Sequence, residues 1–542
     1  MKIFRLALLF SIVHFTLFAQ KYTFTHDDTL RGSITKERAW WDLQFYHLNT
    51  RINPADSTIG GHVVVRYKVL QPAQLLQIDL QRPLAISKIT QDGQELSFRR
   101  DGDAFFVSLV KPQKIDAQEE ITVHYSGRPR IAKRAPWDGG FSWKRDQNGQ
   151  PFVATSCQGL GASVWWPCKD HMYDEPDSMK ISITVPPGLT DVSNGRLSSI
   201  SNNADGWRTF HWYVQNPINN YGVNVNIGNY VSWTETFEGE KGKLDLSFYA
   251  LPENAEKAKV QFQQVRPMLK AFEHWFGPYP FYEDGFKLVE VPYLGMEHQS
   301  SVTYGNGYQN GYLGRDLSAT GWGLKWDFII IHESGHEWFA NNITYKDVAD
   351  MWIHESFTNY SENLYTEYQH GKQAGAEYVI GCRKLIRNDK PIIGVYGVNH
   401  SGSGDMYYKG GNMLHTIRQI VNDDEKWRGI LRGLNKTFYH QTVTSPQIEE
   451  YMSAQAGINL SKVFDQYLRD VRIPTLEYKL EGKQLSYRWS NCVAGFEMPI
   501  KLKIGNNWKT LQPNSDWKTL KVSKASAVMI DPNFYVEIRK LE

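Results

Sequence analysis

The sequence predicts a multidomain α+β protein. It reads as an N-terminal antiparallel β saddle or sandwich, a helix-rich centre, and a small C-terminal β-sandwich-like module. Three observations carry this. Apolar and polar residues alternate in short runs up to about residue 241, with Gly and Pro between the runs. From about 251 to 471 apolar residues recur at helical spacing instead. From Thr475 the alternation returns. A chain of 542 residues has room for about three domains. The expected bounds are 20–241, 242–473 and 474–542, behind a leader at 1–19.

Residues 1–19 have the order of a signal peptide. Lys2 and Arg5 form a charged start, 6–18 an apolar core, and Ala19 a small residue at the cleavage point. The chain is therefore expected to be exported, periplasmic or secreted, with no membrane span once the leader is removed. In the first domain, Val63, Val65, Tyr67 and Val69 alternate with His62, Arg66 and Lys68. Ile121, Val123 and Tyr125 alternate likewise, as does Met179-Lys180-Ile181-Ser182-Ile183-Thr184-Val185. Each run ends at a Gly or Pro turn.

In the second domain, Ala258, Phe262, Val265, Leu269, Phe272 and Phe276 describe one helical face, with Pro267 as an expected kink and Gly277-Pro278 as the stop. A strand at 286–291 then runs into Leu294-Gly295-Met296-Glu297-His298. Phe328, Ile331, Phe339 and two histidines recur at turn spacing and predict a helix. Ile353, Phe357, Tyr360, Leu364 and Tyr368 predict a second. Further helices are expected after Tyr407-Tyr408-Lys409-Gly410-Gly411, at Ser445-Pro446, and over 460–471. In the third domain Leu476, Tyr478 and Leu480 are expected to face Leu485, Tyr487 and Trp489 across Glu481-Gly482-Lys483.

The chemistry concentrates in 329–368. His332-Glu333-Ser334-Gly335-His336 is an H-E-x-x-H motif. On a helix, residues i and i+4 share a face, so both imidazoles can hold one Zn²⁺ while Glu333 holds a water against it. A catalytic zinc wants a third protein ligand and an open position. Glu355, near the start of the second helix, supplies that ligand. Glu362 lies seven residues on, on the same face, and can orient a metal-bound histidine from behind.

Composition narrows the rest. The chain carries 60 Lys and Arg against 58 Asp and Glu, and removing Lys2 and Arg5 with the leader brings the net charge to zero. That argues against a nucleic-acid footprint. Four cysteines, none in a C-x-x-C pair, argue against a thiolate zinc site and permit disulfides without requiring them. The eighteen tryptophans read as large β-rich cores and a substrate cleft rather than a carbohydrate-binding surface.

Taken together, H-E-x-x-H, eighteen residues and Glu355, the Gly295-Met296-Glu297 run, Tyr407-x-Lys409-Gly410, and Gln158 ahead of Pro167-Cys168-Lys169-Asp170 resemble the zinc aminopeptidases of the aminopeptidase N and leukotriene-hydrolase type, the gluzincin aminopeptidases. The resemblance covers nearly the whole chain after the leader. It implies a thermolysin-like domain over 242–473 that binds one Zn²⁺ through His332, His336 and Glu355. Glu333 is then the general base, and Tyr407 stabilises the oxyanion. Glu297 anchors the free α-amino group of a peptide, helped by Gln158, while Gly295 and Met296 offer an edge strand to the substrate backbone. Glu362 supports a histidine ligand. The expected partners are peptides with a free N-terminus. Several positions depart from the family's pattern: Leu294, His298, Ala340, His354, and extra residues between Cys168 and Asp174-Glu175-Pro176. His298 and the extra residues fall where substrate preference is set. Other readings are a thermolysin-like endopeptidase, an epoxide hydrolase, and a non-catalytic exported peptide-binding protein. The first is opposed by Glu297, since an ammonium anchor penalises internal bonds.

Overall fold

The computed structural model describes residues 23–523 and 527–542, so the leader expected over 1–19 lies outside the described residues. No helix among the described residues is long and apolar enough to cross a membrane. The alternating runs of the first half build an eight-stranded sheet whose centre is Trp41–Asn53 paired with Thr58–Val69. Val63, Val65, Tyr67, Ile121, Val123, Ile181 and Ile183 all turn to one face and are buried, as a period of two requires. Four-stranded and three-stranded sheets share that core, together with Trp165 and Trp166. One pairing departs from the antiparallel expectation: Ser178–Val185 runs parallel to Trp41–Asn53. More than a hundred residues separate the two strands, ample for a parallel return.

The next sheet has five strands, in the order Val231–Gly239, Gly242–Ala250, Phe286–Glu290, Val302–Tyr304, Gly295–Met296. Its first two strands form a hairpin that pairs onward into Phe286–Glu290. The expected boundary at 241 therefore falls inside a hairpin turn. At the other end of this sheet Gly295–Met296 is an edge strand, paired among the described residues only with Val302–Tyr304.

Two helical expectations are corrected in detail. The first amphipathic helix is interrupted not at Pro267 but by a 3₁₀ turn, Phe262–Gln264, between Ala255–Gln261 and Val265–Phe276. Pro267 sits in the first turn of the second piece, where its missing N–H breaks no bond. The motif helix, Phe328–Gly335, is capped by Asp327, whose side chain accepts the Ile329 and Ile330 N–H groups. It ends at His336, so Phe339 is not on its face but in a wide turn, at φ −129° and ψ 81°. The expected helix at 460–471 is present and slightly shorter, Ser461–Phe464 continuing into a wider helical turn, Asp465–Arg469. The C-terminal hairpin has the expected register, with Leu476 opposite Trp489, Tyr478 opposite Tyr487 and Leu480 opposite Leu485.

The second helix, Trp352–His370, is buried over most of its length, between the motif helix and Tyr408–Val421. Glycines set both approaches. A Cβ at Gly335 would lie 2.6 Å from Ser361 Oγ, and one at Gly410 would lie 1.9 Å from Ser356 Oγ. Gly410→Ala should therefore force the helices apart. Overpacking of this kind costs about 1–3 kcal/mol, against up to about 1 kcal/mol of helix propensity gained. Gly429→Ala, on the helix Asp424–Thr437 with open space at its Cβ, should instead keep or raise stability. Urea unfolding midpoints of the two variants would separate the effects; equal midpoints would mean that Gly410 makes no critical approach.

Candidate active site

The motif helix and the second helix bring three donors together. Glu355 Oε2 lies 3.4 Å from His336 Nε2 and 3.8 Å from His332 Nε2. Donors bonded at about 2.0–2.1 Å to one tetrahedral zinc stand roughly 3.4 Å apart, so the set has the right size. Hydrogen bonds fix how the rings face. His332 Nδ1 is 2.8 Å from Glu362 Oε1, and His336 Nδ1 is 3.0 Å from the Phe339 carbonyl. Each Nδ1–H is thus a donor, and both Nε2 lone pairs turn towards Glu355. Glu355 Oε2 is buried and has no hydrogen-bond donor among the described residues. An acceptor left bare in a buried site is what a cation would satisfy. His332, His336 and Glu355 therefore fit zinc.

The electrostatics agree. Burial opposes a charge on His332, yet the carboxylates of Glu355 and Glu362 outweigh it and hold this imidazole well above its usual pKa. Burial likewise opposes ionisation of Glu355, but His336 and His332 hold it well below the carboxylate range. The field at this point favours positive charge. Glu362 is itself held in place: Tyr378 OH donates to Oε2 at 2.7 Å and Asn359 Nδ2 to Oε1 at 3.1 Å.

Glu333, one residue past the first histidine, is pushed up to about 7 by burial, with the charges of Glu297 and Glu355 adding to it against the two histidines. Glu297 is also raised, by burial first and by Glu355 next. Gln158 binds both carboxylates, its Nε2 donating to Glu297 Oε1 at 2.7 Å and to Glu355 Oε1 at 2.9 Å. Tyr407 precedes the helix Tyr408–Val421. Its ring stacks over His332, with centroids 6.0 Å apart, and its hydroxyl reaches Glu355, which helps burial raise its pKa. Gly295 lies against the motif helix, where a Cβ would be 2.5 Å from Ile329 Cγ2 and 3.4 Å from Glu333 Cγ. Gly295 and Met296 line the same cleft, of about 460 Å³, as Glu297, Glu333, Tyr407 and the three donors. Every site residue expected from sequence thus meets at one place.

Sequence reasoning missed others. Tyr221 OH donates to Glu297 Oε1 at 3.2 Å, and Asn341 Nδ2 holds the Glu297 carbonyl at 2.9 Å. Tyr221 lies in a buried turn, Asn220–Gly222, with no periodic signal to mark it. The histidine substitutions prove inward. His298 is buried, kept neutral at about 3 by desolvation, and its Nδ1 lies 3.4 Å from Thr303 Oγ1. It does not line the cleft. His354 accepts the Tyr345 N–H at 3.0 Å and stacks on that ring. The extra residues after Cys168 also stay off the cleft: Lys169 pairs with Asp174, and Asp170 accepts the Ala162 and Ser163 N–H groups. All four cysteines are free thiols. At Ala340 φ is 157° and ψ −52°, a conformation that suits glycine better.

Comparison with known proteins gives two family matches. Residues 43–221 match the peptidase M1 N-terminal domain, and 260–467 match the peptidase family M1 domain. A probable aminopeptidase 1 of Sulfurisphaera tokodaii is 20% identical over 458 residues, covering 79% of this chain and 54% of the relative. The leukotriene A-4 hydrolase of Xenopus laevis is 21% identical, covering 76% and 68%. The chain spans a little over half the length of the archaeal aminopeptidases it matches. The crystal structure of an M1 zinc metallopeptidase from Deinococcus radiodurans superposes with a TM-score of 0.66 at 20% identity, over 81% of this chain and 95% of that one.

The contact between His332 and Glu362 makes a prediction. Glu362→Gln keeps the shape and an acceptor but removes the charge behind the ligand. Zinc affinity, measured by chelator competition, should fall about 10–100-fold. An unchanged affinity would make Glu362 a packing residue only.

Proposed function

The chain belongs to peptidase family M1, and we propose that it is an exported zinc aminopeptidase, removing residues one at a time from the free N-terminus of peptides. The observation that carries this reading is the Glu297 carboxylate. It is 3% exposed, sits beside the zinc donors, and accepts hydrogen bonds from Gln158 and Tyr221 without an ion-pair contact of its own among the described residues. A peptide's α-ammonium is the cation that fits. Gln158 and Tyr221 hold the anchoring oxygen, which fixes the distance from the ammonium to the first peptide bond.

Zinc held by His332, His336 and Glu355 supplies Lewis acidity and lowers the pKa of a bound water. Glu333 takes the proton from the attacking water and passes it to the leaving amine, a task suited to a carboxylate with a raised pKa. The Tyr407 hydroxyl, kept protonated by burial and surrounding carboxylates, donates to the oxygen on which charge develops. The free edge of Gly295–Met296 offers backbone N–H and C=O groups to an extended substrate, and Gly295 lets the strand lie close to Glu333. A variant of the Deinococcus enzyme was crystallised with a Tyr-Ser-Ala substrate; a peptide of that kind is a suitable first probe here. Export rests on the charged start and apolar core at 1–19.

Aminoacyl-anilides should be cleaved, their N-acetylated counterparts should not, and chelation should abolish activity that zinc restores. Glu333→Gln should cost about 10²–10⁴ in kcat, and Tyr407→Phe about 10²–10³. Glu297→Gln should raise KM for free-amine substrates and shrink the gap to the acetylated ones. Equal cleavage of blocked and free substrates by the unaltered protein would favour the endopeptidase. No cleavage of either, with zinc bound, would favour the epoxide-hydrolase or peptide-binding reading.

A further inference from the structure

The outer face of the eight-stranded sheet carries four histidines on four of its strands. Because Tyr46, Leu48, Val63, Val123, Tyr125, Phe210 and Trp212 point into the core, their neighbours His47, His62, His124 and His211 point out. Two of the four are already engaged. His47 Nε2 is 3.0 Å from Ser182 Oγ, which is 2.8 Å from His211 Nδ1, and His211 Nε2 is 3.1 Å from Ser201 Oγ. The other two differ. His62 and His124 stand directly opposite each other on Thr58–Val69 and Gln118–Gly127. Their rings are 5.5 Å apart, and neither imidazole makes a hydrogen bond among the described residues. His47 is the next imidazole, 6.5 Å from His62.

We propose that His62 and His124 form a second metal site, one that takes a late first-row transition dication, Cu²⁺ most tightly, with water completing the coordination. Directly opposed residues hold their Cβ atoms about 4.5–5.5 Å apart, so the sheet fixes the pair before any ion arrives. The ring spacing is close to the 5.0 Å between His332 and His336, the pair that fits zinc. Burial and the neighbouring His124 lower the His62 pKa, which leaves its lone pair available at neutral pH. Imidazole donors select Cu²⁺, Ni²⁺ or Zn²⁺ over Mg²⁺ or Ca²⁺. Neither residue lines the catalytic cleft, so the site stands independently of the peptidase reading.

The test uses the full chain with its catalytic site loaded with zinc. Equilibrium dialysis against Cu²⁺ should show one added equivalent, with nitrogen hyperfine structure in its electron paramagnetic resonance spectrum. His62→Gln and His124→Gln should each weaken that binding by at least about tenfold. His211→Gln, on the same face but tied between two serines, should leave it unchanged. Aminoacyl-anilide hydrolysis, or thermal unfolding if that activity is absent, would verify that each variant is folded. A spectrum without nitrogen ligands in the unaltered protein would overturn the proposal. So would copper binding that survives both substitutions, or that His211→Gln abolishes equally.

Discussion

Four carboxylates, Glu297, Glu333, Glu355 and Glu362, are packed around two imidazoles with at most 8% of any of them exposed. Taking an ionised carboxylate out of water costs several kcal/mol unless charge or hydrogen bonds compensate. This constraint shapes the rest of the molecule. Glu362 is compensated by a histidine, a tyrosine and an asparagine. Glu355 and Glu297 share one glutamine amide. What remains uncompensated, one bare oxygen on Glu355 and the charge on Glu297, marks where cations belong. Three close helices hold the cluster together, and Gly335 and Gly410 let them approach.

The N-terminal domain takes part in this arrangement directly. Gln158 and Tyr221 both come from it, and both end on Glu297. The glutamine also reaches Glu355, so one amide links the proposed amine anchor to a zinc donor across the domain interface. A β-rich domain that merely accompanied the catalytic one would leave Glu297 with far less support. The two domains form one site, and their relative placement fixes the spacing between anchor and metal.

What was legible in the sequence follows from how local each feature is. The H-E-x-x-H pair, Glu355 and Glu362 lie on two adjacent helices, so helical spacing alone placed them. The C-terminal register was readable because alternation fixes which side chains face across a short turn. The roles of Glu297, Gln158 and Tyr407 needed the family resemblance, because their partners are remote in sequence. Tyr221 escaped even that, as a buried tyrosine in an irregular turn leaves no periodic trace. The end of the motif helix was misread at Phe339, since an apolar residue at turn spacing looks the same whether the backbone stays helical or opens into a wide turn. The boundary expected at 241 falls in a hairpin turn for a related reason: alternation reports that a strand exists, not which sheet it joins.

The same charge balance bears on which bond is cut. At about 4 Å and an effective dielectric constant near 20, opposite unit charges attract by about 4 kcal/mol, a factor of roughly a thousand in binding. An N-terminal ammonium at Glu297 gains this attraction. An internal segment would place a neutral amide there and leave the buried carboxylate without a cation. Gln158 and Tyr221 soften that loss but bring no charge. The proposed preference for chain ends therefore needs no wall across the cleft. It follows from a carboxylate that the fold buries, hydrogen-bonds on one oxygen, and leaves for the substrate to neutralise.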